Sequence, residues 1–195
     1  MSLVPPLSPL TPGDGNRFSR WFGRTLLRLG GWRVIGAWPA EPRLVVIVAP
    51  HSSGWDAYWG LAAKLAMGVD IAFIAKAELF VGPLGWLLRL LGGRPVNRKA
   101  PGGIVEQTAA QIRDSERLYF VLAPEGTRKR VERWKTGFWK IARSADVPVL
   151  CAWFHYPDRT IGLGPLLHLS GDPDADMARI REIYRPYVGK NRGTV

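Results

Sequence analysis

The chain has 195 residues, 47% of them apolar, with a formal charge of +11, nine tryptophans and a single cysteine. That length suits one sizeable core and leaves no room for two comfortable domains. One cysteine excludes an intrachain disulfide and any multi-cysteine zinc site, and the charge calls for an anionic partner: nucleic acid, an acidic membrane surface or a phosphorylated substrate.

Residues 1–16 are rich in proline and glycine, with neither a basic start nor an apolar core. A flexible leader is expected there, and a secretory signal is not. Residues 17–29 carry the clearest helical period. Arg17, Arg20, Arg24 and Arg28 fall in one sector, Phe18, Phe22, Leu26 and Leu29 in another, and Trp21 lies near the border. A basic amphipathic helix with aromatic residues on its apolar face binds in the plane of an anionic membrane. The same pattern serves a helix packed on the domain with a solvated arginine face. Residues 17–43 are therefore set apart as a membrane-associating segment before an α/β domain at 44–190.

From residue 44 the chain alternates. Strands are expected at 44–49, 71–75, 118–123 and 147–154, with a short extended piece at Val96. Helices are expected at 55–67 (entered through Ser53), 83–91, 103–115, 137–145 and 174–187. Alternation of this kind gives an α/β fold, a single domain with a mostly parallel sheet flanked by helices. No stretch reaches the roughly 18–20 apolar residues that span a bilayer. Residues 79–91 come closest and are interrupted by Gly82, Pro83 and Arg89.

Two short segments carry the chemistry, and each follows an expected strand: Pro50-His51-Ser52-Ser53-Gly54-Trp55-Asp56 and Ala123-Pro124-Glu125-Gly126-Thr127-Arg128-Lys129. Ligands of open α/β sheets bind at the carboxyl ends of strands. A histidine there can act as general base, because its ordinary pKa lies near neutrality. Asp56 can accept the proton of the other ring nitrogen and fix the tautomer. Alternatively, Ser53-x-x-Asp56 is a capping box and His51 a polar loop residue. In the second segment Gly126 permits a tight turn and Arg128 can clasp a phosphate, with Lys129 adding charge. Glu125 either holds Arg128 or hydrogen-bonds a substrate hydroxyl. A hydrolase triad is not expected, since there is no G-x-S-x-G elbow. His155 and His168 lack metal-ligand spacing and are read as structural, and Cys151, inside an apolar run, as an inert core thiol.

The ordered set His-x4-Asp at 51–56, Gly-x5-Arg at 92–98, Pro-Glu-Gly-Thr-Arg at 124–128 and Val-Pro-Val at 147–149 resembles the lysophospholipid and glycerolphosphate acyltransferase family. The resemblance runs over about residues 44–155 and includes Trp134-Lys135-Thr136-Gly137-Phe138. It implies transfer of a fatty acyl group from acyl-CoA or acyl carrier protein to a lysophospholipid or glycerol-phosphate acceptor. It makes His51 the base and Asp56 its orienting partner. It assigns Arg98, Glu125, Gly126, Thr127 and Arg128 to the acceptor's phosphate end, and Pro148 to the neighbourhood of the donor. It implies no metal and no bound cofactor, and a peripheral or monotopic place on the cytoplasmic face of an anionic membrane. Nucleic acid is not an expected partner, and a binding-only protein of anionic lipid or nucleic acid is the alternative. Pro50 stands where the family commonly has asparagine, Asn97 for aspartate, Ala123 for phenylalanine, Lys129 for serine and Cys151 for a second proline. Those departures concern the identity of the acceptor.

Overall fold

The computed structural model describes residues 2–13, 15–96 and 103–191. Strands β1 (Arg33–Ile35), β2 (Arg43–Ala49), β3 (Ile71–Lys76), β4 (Gly93–Val96), β5 (Leu118–Leu122), β6 (Val149–His155) and β7 (Thr160–Leu167) form one seven-stranded sheet. Its order is β1-β7-β6-β2-β5-β3-β4. Strands β6, β2, β5, β3 and β4 run parallel to one another, whereas β7 returns antiparallel to β6 and pairs in parallel with β1. Among the described residues six α-helices flank it: α1 (Arg17–Gly30), α2 (Gly54–Met67), α3 (Gly82–Leu90), α4 (Gly103–Arg113), α5 (Gly137–Ala145) and α6 (Pro173–Tyr184).

The central strand β2 shows why the sheet is covered on both faces. Val45, Ile47 and Ala49 point into a core with Ala109 and Ile112 of α4, Phe138 and Ile141 of α5, and Ile180 and Tyr184 of α6. Leu44 and Val46 point the other way, to Leu27 of α1 and Ala62, Ala63 and Ala66 of α2. A strand buried on both faces reads as an unbroken apolar run, as this one does. Each such fully buried Leu, Ile or Val side chain contributes roughly 1.5–3 kcal/mol. The Tyr184 hydroxyl donates to the Ile47 carbonyl at 2.7 Å, tying α6 to β2.

Helix α1 is capped by Asn16, whose side chain accepts from the Ser19 amide, and it packs on α2 by burying Gly23 and Leu27. Phe18, Trp21, Phe22 and Leu29 stay exposed. The helix thus has a packed face and a separate apolar face turned outward. The segment expected to be a flexible leader lies along the domain. Val4 is buried, Leu3 accepts from the Val34 amide, and Gly13 bridges to Val69. Among the described residues no helix is long and apolar enough to cross a membrane.

Candidate active site

Three adjacent strands deliver the site from the same sheet edge. His51 follows β2, Glu125 follows β5 on one side, and Tyr156 follows β6 on the other. Parallel register sets their ends level, with Ile47 opposite Leu122 and Ala49 opposite Trp153.

Past β2 the Ala49–Pro50 peptide is cis, and the chain turns into α2 at Ser53. Asp56 lies in the first turn of α2, its side chain wholly buried, and its carboxylate has four donors. Oδ2 accepts from the amides of Ser52 (2.8 Å) and Ser53 (2.9 Å) and lies 3.2 Å from His51 Nδ1. Oδ1 accepts from the Tyr156 hydroxyl at 2.7 Å. Ser53 Oγ accepts from the Trp55 amide, which completes the cap. The capping box and the His–Asp pair are therefore the same carboxylate serving both ends. Burial pushes the Asp56 carboxyl upward, but the bonds from His51, Tyr156 and Ser53 outweigh it, holding the group below its ordinary value. Tyr156 moves the opposite way: burial first, then the Asp56 carboxylate beside it, raise the phenol well above its usual range. It stays a protonated donor.

The His51 side chain is 26% exposed, against none for Asp56. With Nδ1–H directed at the carboxylate, the ring lone pair resides on Nε2. The backbone beneath the ring is also fixed, because Glu125, fully buried, accepts from the His51 amide through Oε1 at 2.9 Å. Glu125 reaches into the β2–α2 turn, a placement that its position beside Arg128 in sequence did not suggest.

The turn that follows is tight. Gly126 has φ +65°, and a β-carbon there would lie 2.8 Å from Cδ of Lys135, whose side chain crosses it. Left-handed backbone under a neighbouring chain is a position for glycine. Thr127 Oγ1 accepts from the Lys129 amide within the turn. Arg128 is exposed, and its Nη1 lies 3.7 Å from where a β-carbon on Gly54 would sit, beside the first residue of α2. A guanidinium over a helix N-terminus forms an electropositive corner next to His51. Arg98 lies outside the described residues.

Tyr156 is the site residue that sequence reasoning missed. It is held edge-on against Trp32 (4.9 Å between centroids), and its amide donates to Val188. Nothing in the local sequence marks it, since only the pairing of β6 with β2 brings it to Asp56. Asn191 was missed as well: its amide and Nδ2 donate to Oγ and the carbonyl of Ser52, so the C-terminal segment closes over the same turn. Cys151 is fully buried, and that burial pushes its thiol up to about 12. Among the described residues no group of three or more His, Cys, Asp or Glu side chains is placed to hold a metal.

The profile of the family described as "Acyltransferase" matches residues 34–155. A 1-acyl-sn-glycerol-3-phosphate acyltransferase of Streptococcus pneumoniae is 26% identical over 160 residues, which are 77% of this chain and 59% of that protein. The chain thus spans about three-fifths of that relative's length. A solved structure, the 1-acyl-sn-glycerophosphate (LPA) acyltransferase PlsC from Thermotoga maritima, superposes with a TM-score of 0.62. It covers 86% of this chain and 75% of that one at 20% identity, which establishes a shared fold. With the family profile spanning more than half of its residues, from β1 to the end of β6, the chain belongs to the acyltransferase family.

Proposed function

We propose that this protein is an O-acyltransferase that moves a fatty acyl group from a thioester, acyl-CoA or acyl carrier protein, to a hydroxyl of a lysophospholipid or glycerol-phosphate acceptor. The observation that carries the proposal is the His51 Nδ1–Asp56 Oδ2 contact of 3.2 Å at the carboxyl end of the central strand, inside the region matched by the family. His51 Nε2 takes the proton of the acceptor hydroxyl as that oxygen attacks the thioester carbonyl carbon. The C–O bond forms, the C–S bond breaks, and the departing sulfur takes the proton from the imidazolium. Asp56 stabilises that imidazolium, and Tyr156 with the Ser52 and Ser53 amides keeps Asp56 ionised and in place. General-base help of this kind contributes roughly 10²–10⁴-fold.

Arg128, with Thr127 and Gly126 shaping its turn, receives the acceptor's phosphate, and Arg98 is proposed as a further phosphate ligand. Glu125 supports the site from below through the His51 amide. A covalent acyl-cysteine is not part of the scheme, because the buried Cys151 stays a thiol and a thiolate is what attacks. The product of either acceptor is a lipid, and α1 presents arginines beside an outward apolar face. The reading therefore places the enzyme on an anionic membrane surface, at the cytoplasmic face.

The test is a mass-spectrometric assay pairing a panel of lysophospholipids and glycerol phosphate with both donor types. Acylation of lysophosphatidate alone is the result expected from the relatives' names. Acylation of a different lysolipid moves the acceptor assignment. Failure of every acceptor with both donors, together with binding to anionic vesicles, leaves a lipid-binding protein and ends the enzymatic reading.

A further inference from the structure

Helix α3 is inverted. Gly85 is its buried residue, whereas Pro83, Leu84, Trp86, Leu87 and Leu90 are exposed, and Val81 just before it is exposed as well. At helical spacing the exposed five share one outward sector that contains no charged side chain. Val81 is 74% exposed, Trp86 65% and Leu90 62%. Arg89 leaves that sector: it lies over the Phe80 ring at 5.4 Å and donates to the Phe80 carbonyl. A contiguous apolar face rimmed by polar groups marks an interaction site, not an ordinary surface.

Its position in the fold says with what. The step β3–α3–β4 repeats the direction of β2–α2–β3 across the sheet, so right-handed crossovers put α3 on the side of α2 and α1. Lys64 of α2 donates to the Leu91 carbonyl at 2.8 Å across the two helix ends. On that one side, two helices repeat one design. Helix α1 turns Phe18, Phe22 and Leu29 outward, and Arg17, Arg20, Arg24 and Arg28 line a cleft of about 340 Å³ with Trp21 beside them. Helix α3 turns its apolar sector outward, and Arg89 and Arg94 line a second cleft of about 340 Å³ at its C-terminal end. The carboxylate in that second cleft, Asp70, lies 3.6 Å from Lys64 Nζ. Apolar side chains at lipid depth with arginines at headgroup depth complement an anionic bilayer.

We propose that α3 is a second lipid-contacting element, so that the domain rests on an anionic bilayer through α1 and α3 together. This rests on the membrane-surface reading of α1 given above and extends it to a part of the fold that reading leaves unused. Because β3 runs parallel to β5 and β5 to β2, the chain enters α3 from the sheet edge that carries His51. Two contacts fix the tilt of the domain where one helix would allow it to roll, and they hold the site entrance at the lipid surface.

The experiment places an environment-sensitive fluorophore at Leu87→Cys in α3 and, separately, at Leu29→Cys in α1, leaving the buried Cys151 native. The probes are phosphatidylcholine–phosphatidylglycerol vesicles with brominated acyl chains. Both labels are expected to shift to the blue and to be quenched. The double variant Leu87→Glu/Leu90→Glu should partition at least about tenfold more weakly while still acylating a water-soluble short-chain acceptor at the wild-type rate. Quenching at Leu29 with none at Leu87 overturns the role of α3 and leaves that of α1 standing. Quenching at neither overturns both. A dimer in sedimentation that the double variant dissociates, with vesicle binding unchanged, assigns the face to a second copy of the chain and overturns the proposal.

Discussion

Two histidine–aspartate pairs stand at the carboxyl ends of neighbouring strands, His51 with Asp56 after β2 and His155 with Asp158 after β6, and they are wired in opposite ways. His51 presents Nδ1 to a buried carboxylate at 3.2 Å. His155 uses Nδ1 to accept from the Val188 amide at 3.0 Å, and its Nε2 lies 3.6 Å from an Asp158 side chain that is 65% exposed. In the first pair the buried acid selects the tautomer and leaves Nε2 basic. In the second the backbone selects it, and the proton is on Nε2, facing an acid that water can screen. The same residue types at the same sheet edge thus give one group equipped to accept a proton and one that pins the C-terminal segment.

The comparison is broken most easily at His51. The substitution His51→Ala is expected to lower kcat/KM by roughly 10²–10⁴-fold with circular dichroism unchanged, while His155→Ala loses nothing comparable. Equal losses in steady-state kinetics would erase the distinction. Next in size is Asp56→Asn. Its amide can face Nδ1 and favour the wrong tautomer, so a loss of about 10²-fold or more in kcat is expected. Unfolding in urea should also show a cost of about 1–3 kcal/mol, because buried bonds at Ser52, Ser53 and Tyr156 are compromised. Arg128→Ala sharpens the comparison by separating binding from chemistry. It should raise the KM of a phosphate-bearing acceptor about tenfold with kcat little changed, the worth of one charge-assisted contact.

Smallest is Tyr156→Phe, expected to cost about 1 kcal/mol of stability and a few-fold in rate. Its signature is in the pH profile. The Asp56 carboxyl is held below its ordinary value of 3.8, so its contribution to stability is complete above that value and is lost as pH falls through the lower, folded one. Removing the Tyr156 bond raises the folded value, so the acid loss of stability begins at higher pH in Tyr156→Phe. Urea midpoints measured across the acid range check the shift, and superimposable profiles would assign Tyr156 a packing role alone.

Much of this was legible in the sequence. Strands β2, β5 and β6 are unbroken apolar runs, and burial on both faces requires that. Strand β7 was hidden by Gly162, Gly164 and Pro165, which weaken a strand reading. The structure supplies the reason, since a β-carbon on Gly162 would lie 1.9 Å from Cε2 of Trp153, so the glycine makes room for an indole on the neighbouring strand. Strand β1 has only three residues and no pattern to read. The His51–Asp56 pair was legible because both residues belong to one strand–turn–helix step. The choice between capping box and catalytic pair was not, because Asp56 makes both sets of bonds. Glu125 and Tyr156 depend on which strands are neighbours, a property of sheet order that local sequence does not contain. Helix α1 showed its period, but the period could not tell which sector packs on α2. The small residues Gly23, Ala62 and Ala66 decide that by letting the helices approach.

The most direct measurement is nitrogen-15 correlation spectroscopy of the histidine rings at a pH where both are neutral. The account predicts opposite tautomers: His51 carrying its proton on Nδ1 and none on Nε2, and His155 protonated on Nε2. Finding the proton of His51 on Nε2 would contradict it, because the nitrogen proposed to take the acceptor's proton would already carry one.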